Sequence, residues 1–181
     1  MAIETEKKYR LTREQYEEIF TALAESGAEF KGEDFEENTL YGVGILNERR
    51  AVLRVRKIGG RTILTFKRRI QNDFDVKQQI EHETEVSDAE ALEKILENLG
   101  FKPWLVYEKR RKIYKFRAVE VVLDELPFGL FMEIEGSITA IAEAEMLLDA
   151  EDFETEHETY PNLTTKYGVR RGDLVEARFE R

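Results

Sequence analysis

Two carboxylates and a lysine stand at alternate positions near the start of the chain, in Glu4-Thr5-Glu6-Lys7-Lys8. Successive residues of a β-strand point to opposite faces, so in a strand Glu4, Glu6 and Lys8, with Arg10 following, share one face. Ile3, Tyr9 and Leu11 serve a different environment. Carboxylates bind hard divalent cations, and ammonium or guanidinium groups bind phosphate oxygens, so this face has the chemistry to hold a metal-bound polyphosphate. The plain alternative is the solvated face of a surface strand.

The same alternation recurs along the chain. Leu53-Arg54-Val55-Arg56 puts two guanidinium groups opposite two apolar side chains. A Gly59-Gly60 turn then leads into Thr62 to Arg69, where Leu64 and Phe66 oppose Thr65, Lys67 and Arg69. Glu81, Glu83 and Glu85 share a parity, as do Lys109 and Arg111, Val122 and Asp124, and Glu133 and Glu135, the last pair opposite Met132 and Ile134.

Helices must cover the apolar faces of these strands. Thr12-Arg13-Glu14-Gln15 has the spacing of a capping box and precedes Tyr16, Ile19, Phe20 and Leu23, so a helix is expected up to Gly27. Ser87-Asp88-Ala89-Glu90 reads as a second capping box, before a helix of Leu92, Ile95, Leu96 and Leu99 that ends at Gly100. A third helix is expected over about 139–150. Residues 33–45 read as extended, 70–78 as a loop, and the chain beyond Pro161 as short and irregular. Glu4-Thr5-Glu6 and Glu83-Thr84-Glu85, each followed by a capped helix and a glycine, suggest two related strand–helix–strand units. No linker interrupts residues 1–181, which are expected to form a single domain. With the apolar faces taken by helices, the charged faces can curl toward each other and close into a barrel with a charged lumen. Such an interior is tolerable when opposite charges pair or when water and ligand fill it.

Composition narrows the chemistry. The chain has 181 residues, 41% hydrophobic and 36% charged, with a formal net charge of −10. General attraction to nucleic acid or anionic membranes is therefore not expected. There is no cysteine, which excludes disulfides, thiolate metal sites and cysteine nucleophiles, and only His82 and His157 could supply imidazole. Any metal should accordingly have an oxygen-rich shell of the Mg²⁺ or Mn²⁺ kind. No stretch approaches the roughly 20 apolar residues of a membrane span, so a soluble, cytoplasmic protein without membrane partners is expected.

Taken in order, the Glu4-x-Glu6-x-Lys8 opening, Leu53-Arg54-Val55-Arg56, Thr65-Phe66-Lys67, Glu83 with Glu85, Lys109-x-Arg111, Leu123-Asp124 and Met132-Glu133-Ile134-Glu135 resemble the CYTH superfamily, the triphosphate tunnel metalloenzymes. The resemblance runs from residue 3 to about residue 150 and looks closest to the class IV adenylyl cyclase-like branch. It implies an α+β fold, a closed antiparallel eight-stranded β-barrel with helices packed outside. It also implies that bases in the tunnel hold a triphosphate and that acids hold one or two Mg²⁺ or Mn²⁺. Carried over residue by residue, phosphate binding falls to Lys8, Arg54, Arg56, Lys67, Lys109 and Arg111, with Arg10 and Arg69. Metal binding falls to Glu4, Glu6, Glu133 and Glu135 with Asp124 near them, and Glu83 and Glu85 serve a second metal or orient bases. Lys8, Glu6 and Glu133 stand nearest the expected chemistry. Many cyclase-like members end with a Ser-Tyr-x-x-Leu-Leu helix; here Thr165-Lys166-Tyr167-Gly168 and Tyr160-Pro161-Asn162-Leu163 only approach it.

The resemblance implies an enzyme acting on ATP, thiamine triphosphate or tripolyphosphate. A cyclase would form cyclic AMP and pyrophosphate, whereas an inorganic or thiamine triphosphatase would hydrolyse its substrate. A non-catalytic polyphosphate or nucleotide sensor and an acidic structural domain are the remaining readings, and a homodimer is compatible with all of them. Elsewhere the ordinary interpretation is favoured. His82 opposes the parity of the neighbouring glutamates, His157 and the run Glu151 to Glu158 read as solvated loop, and Trp104 beside Pro103 reads as a packing anchor. Arg110-Arg111-Lys112 is split by period two across both faces, which argues against nucleic-acid binding.

Overall fold

The computed structural model describes residues 5–42, 44–70 and 78–180. In chain order they form β1 (Glu6–Leu11), α1 (Arg13–Glu25), β2 (Glu29–Gly42), α2 (Gly44–Glu48), β3 (Ala51–Ile58), β4 (Arg61–Ile70), β5 (Gln78–Val86) and α3 (Ala89–Asn98). There follow β6 (Lys102–Phe116), β7 (Val119–Leu126), β8 (Gly129–Glu135), α4 (Ile138–Leu147), α5 (Tyr160–Tyr167), β9 (Val169–Arg171) and β10 (Leu174–Ala177). The hydrogen-bonded path through the sheet is β1-β8-β7-β6-β2-β3-β4-β5, with β10 added to β6 and β9 to β10. The two strand–helix–strand stretches expected from the sequence are present as β1-α1-β2 and β5-α3-β6, and β1 and β5 lie at the two ends of the path.

The fold is thus α+β with a large, mostly antiparallel sheet, the pairing of β10 with β6 being parallel. Closure of the sheet is not observed: among the described residues β5 has no ladder with β1. The β1 edge away from β8 instead bonds to a later segment. The Arg10 amide donates to the Glu154 carbonyl at 2.9 Å, and the Glu156 amide donates to the Lys8 carbonyl at 2.8 Å.

The chain divides into two compact units. One comprises residues 5–35 and 109–159. Its core gathers Tyr9 and Leu11 of β1, Val121 and Leu123 of β7, and Met132 and Ile134 of β8 against Ile19 and Leu23 of α1 and Ile141 and Ala144 of α4. Every strand residue named here has the parity opposite to its charged neighbours, so the apolar face of the sheet is the one the helices cover. The reciprocal Thr12–Gln15 capping box is formed, with the Gln15 amide 3.1 Å from Thr12 Oγ1 and the Thr12 amide 2.9 Å from Gln15 Oε1.

The other unit comprises residues 36–108 and 160–180. Leu53 and Val55 of β3 pack with Leu46 of α2, Leu96 of α3 and the half-buried Leu64 and Phe66 of β4. The β3–β4 hairpin closes at Ile58↔Arg61 through Gly59 and Gly60, with φ of 53° and 78°. Both glycines are therefore in the left-handed region that a tight primed turn demands.

Several expectations are revised. The segment read as extended over residues 33–45 ends in the short helix α2. The cap of α3 is Asp88, one residue later than the Ser87 box implied, and its carboxylate accepts from the Ala91 amide at 2.9 Å. Ile95 and Leu99, counted on its apolar face, are exposed, while Leu96 is buried. The region beyond Pro161 is ordered as α5, β9 and β10. Buried Tyr160, Leu163 and Thr164 anchor α5, and Gly168 ends it where the backbone is closely enclosed: a Cβ there would lie 2.5 Å from the Thr164 carbonyl. The loop expected at residues 70–78 falls largely on 71–77, outside the described residues. Among the described residues no helix is long and apolar enough to cross a membrane.

Candidate functional site

In the unit of residues 5–35 and 109–159, the strand face opposite the helices carries Lys8, Lys109, Arg111, Asp124 and Glu133. Register explains their meeting, because Lys8 lies across from Glu133 and Arg111 across from Asp124. Arg111 is the hub. Its Nε donates to Asp124 Oδ1 at 2.7 Å, and its Nη2 reaches Asp124 Oδ2 at 2.5 Å and Glu133 Oε2 at 2.6 Å. Lys8 Nζ is 3.2 Å from the other Glu133 oxygen, and Lys109 Nζ is 3.6 Å from Asp124 Oδ2. Asp124 is wholly buried, and Lys109 and Glu133 nearly so. Three bases are thus gathered with two carboxylates on one strand face. The paired acids also hold the bases in place, so ligand binding need not order long flexible side chains.

Asp124, expected near the metal ligands, meets bases, with both oxygens engaged by Arg111. Glu6 and Glu135 face each other across β1 and β8, and Glu120 of β7 continues the row. Like charges directly opposite one another destabilise a sheet, and a hard cation would relieve these. The donor set is thus chemically suited to Mg²⁺ or Mn²⁺, although among the described residues no three potential ligands are gathered closely enough to hold an ion. Glu4 lies outside the described residues.

Arg10 shares the face of Lys8 but is engaged differently. Its Nε and Nη2 both lie 3.2 Å from Glu156 Oε2, and its guanidinium sits 5.1 Å from the Phe131 ring centroid. Burial would raise the Glu156 carboxyl. The Glu158 amide, the Arg10 hydrogen bonds and the nearby Lys8 outweigh it and hold the group below its ordinary range. Lys8 Nζ also donates to the Glu158 carbonyl at 3.3 Å. The acidic run at 151–158, read as free solvated loop, is therefore fastened to β1 by backbone and side chain alike. On the opposite face of β1, Lys7 and Tyr9 both donate to Glu145 of α4, a link between helix and sheet rather than part of the charged site.

In the unit of residues 36–108 and 160–180, Arg54 and Arg56 of β3 lie on the polar face as expected. Arg54 Nη2 is 3.4 Å from Thr65 Oγ1, which in turn donates to Glu83 at 3.1 Å. Arg56 Nε is 3.8 Å from Glu36 Oε2, and Asn38 Nδ2 donates to that same carboxylate oxygen at 3.1 Å. Lys67 pairs with Glu81 at 2.7 Å, and Glu85 is 3.9 Å from Arg61 on the surface. Glu83 and Glu85 thus contact different partners and are not drawn together. The side chain of Arg69 lies outside the described residues.

Glu36, Asn38 and Tyr107 were not singled out in the sequence. Glu36 and Asn38 are 3% and 0% exposed. Their period-two relation to Leu40 was the available signal, hidden because the stretch carries charge on both faces. Burial raises the Tyr107 phenol, and Glu36 adds to that effect while Arg54 and Arg56 oppose it. His82 stacks on Phe66 at 6.4 Å, away from the glutamate face. His82 is an exposed residue, and Trp104, though 39% exposed, closes against Gly42, where a Cβ would lie 2.9 Å from the indole. Arg110 pairs with Glu125, and Lys112 lies over the Tyr16 and Phe20 rings, so the basic run is divided between the two faces.

The chain belongs to the CYTH domain family, whose model matches residues 2–174. A curated relative from Methanocaldococcus jannaschii, bearing the name "Putative adenylate cyclase", is 31% identical over 152 residues, 81% of this chain and 84% of its own length. A Pyrococcus horikoshii protein of known structure superposes with a TM-score of 0.74 at 28% identity, covering 88% of this chain and 98% of that one. The fold is also shared, at 16% identity and a TM-score of 0.66, with a Hippeastrum protein, 98% of it covered against 94% of this chain. That protein is described as a "putative adenylyl cyclase" with a dominant triphosphatase activity.

Proposed function

We propose that this CYTH protein is a divalent-metal-dependent cytoplasmic enzyme acting on a triphosphate, in the manner of an adenylate cyclase that converts ATP to cyclic AMP and pyrophosphate. The observation that carries the reading is the convergence of Lys8, Lys109 and Arg111 on one strand face, held in place there by Asp124 and Glu133. In this reading those bases, with Arg54, Arg56 and Lys67, hold the phosphate chain and neutralise charge accumulating on the departing pyrophosphate. That is the principal help phosphoryl and nucleotidyl transfer need from a protein. Glu6, Glu133 and Glu135, with Glu4, would hold Mg²⁺ or Mn²⁺. The metal would supply further neutralisation of the phosphate oxygens and in-line orientation. A closed tunnel within a single domain is the enclosure that the family resemblance implies for these charged faces.

Hydrolysis is the second reading, favoured by the triphosphatase activity described for the Hippeastrum protein of the same fold. It differs in the nucleophile, water in place of the ribose 3′-hydroxyl. The deciding experiment incubates the purified protein and Mg²⁺ or Mn²⁺ with ATP, thiamine triphosphate or tripolyphosphate and separates the products. Cyclic AMP with pyrophosphate establishes the cyclase, and orthophosphate the hydrolase. Binding without turnover of any of them would show a sensor and sink the enzymatic reading. AMP should bind at least about tenfold more weakly than tripolyphosphate, since each lost charge-assisted contact forfeits roughly 1.5–3 kcal/mol.

A further inference from the structure

Among the described residues three buried polar atoms have no hydrogen-bond partner: Asn38 Oδ1, Arg54 Nε and Arg56 Nε. An orphaned group of this kind is costly, and native structures keep few of them without cause. Two of the three belong to residues directly opposite one another, because Asn38 of β2 is in register with Arg56 of β3. One is an acceptor and the other a donor, so the two are complementary. Arg56 leans instead toward Glu36 Oε2, at 3.8 Å an ionic contact beyond hydrogen-bond length. The Asn38 amide cannot turn over to relieve the conflict. Its Nδ2 donates to Glu36 at 3.1 Å, and a flip would set a carbonyl oxygen against that carboxylate.

We propose that Glu36 and Asn38 are opposed positioning residues for Arg56, the first holding it when the site is empty and the second when a triphosphate is bound. The inference rests on the reading that Arg56 binds phosphate. A phosphate competes with Glu36 for the guanidinium. Once Arg56 is drawn off the carboxylate, its Nε–H turns onto Asn38 Oδ1 and both orphaned atoms are satisfied in the bound state. Asn38 thereby favours the ligand-bound orientation and Glu36 the empty one. These two neighbouring buried residues should then act on affinity with opposite signs.

The test is calorimetric titration of the full chain with tripolyphosphate and Mg²⁺, accompanied by thermal melts of every variant. Asn38→Leu should weaken binding about tenfold, and Glu36→Gln, which preserves an acceptor for Asn38, should tighten it at least threefold. In an Arg56→Lys background, where the side chain has no Nε–H, Asn38→Leu should change affinity less than twofold. If Asn38→Leu does not fold, Asn38→Ser, too short to reach Arg56, carries the same expectations. Equal loss in both backgrounds would show a merely structural role and overturn the proposal, as would weaker binding by Glu36→Gln. Absence of any tripolyphosphate binding by the unaltered protein would instead refute the phosphate-binding reading beneath it.

Discussion

Replacing Asp124 by asparagine isolates the feature on which the charged cluster depends. The substitution is nearly isosteric, yet it takes the negative charge from a wholly buried position where Arg111 binds both oxygens, at 2.7 and 2.5 Å, and Lys109 lies 3.6 Å away. Removing one member of a buried ion pair commonly costs about 3–5 kcal/mol because the remaining charge is left uncompensated. Arg111 keeps its bond to Glu133 at 2.6 Å and about a fifth of its side chain is exposed, whereas Lys109 is 6% exposed and left beside a neutral amide. The lower end of the range, about 3 kcal/mol, is therefore expected at pH 7. For a chain of this size that is a fall in Tm of about 6–12 °C. Thermal melts and urea denaturation would measure it. Tripolyphosphate should recover part of the loss, since its oxygens can replace the missing anion. A Tm within about 2 °C of the unaltered protein would refute the assignment of Asp124 to the bases. An unchanged Tm combined with abolished Mn²⁺ binding would return it to the metal ligands.

Two further outcomes follow from particular contacts. The Glu156 carboxyl is depressed in the folded state, so its contribution to stability is complete above the ordinary carboxyl value of 4.5 and fades as pH falls through the lower folded value. The stability difference between the unaltered protein and Glu156→Gln should accordingly be present at pH 7 and shrink toward acid in urea melts. A difference that grows on acidification would contradict the Arg10 contact. Gly168→Ala should lower Tm by several degrees, because the new methyl would lie 2.5 Å from the Thr164 carbonyl and 2.8 Å from that of Glu176. An unchanged melt would show that the end of α5 yields without cost.

Much of the site's composition is legible in the amino-acid sequence. A period of two assigns each residue of a strand to a face, and it correctly separates Arg54 and Arg56 from Leu53 and Val55, and Glu133 from Met132 and Ile134. The Thr12 capping box and the Gly59-Gly60 turn are equally secure, because both depend on interactions confined to a few consecutive residues. Parity names a face and never a partner. That Lys8 meets Glu133, and that Asp124 meets Arg111, depends on the register of strands brought together by the fold. No short-range pattern encodes that register. The same reason hides the fastening of residues 154–156 to β1, which puts Glu156 against Arg10, and the ordering of the C-terminal segment by its pairing with β6. It also hides Asn38, a polar residue whose significance arises from being wholly enclosed opposite Arg56 with one oxygen unsatisfied. Alternation along the chain therefore determines what chemistry the strands can present, and only the tertiary structure, by bringing distant strands into register, decides which charges meet.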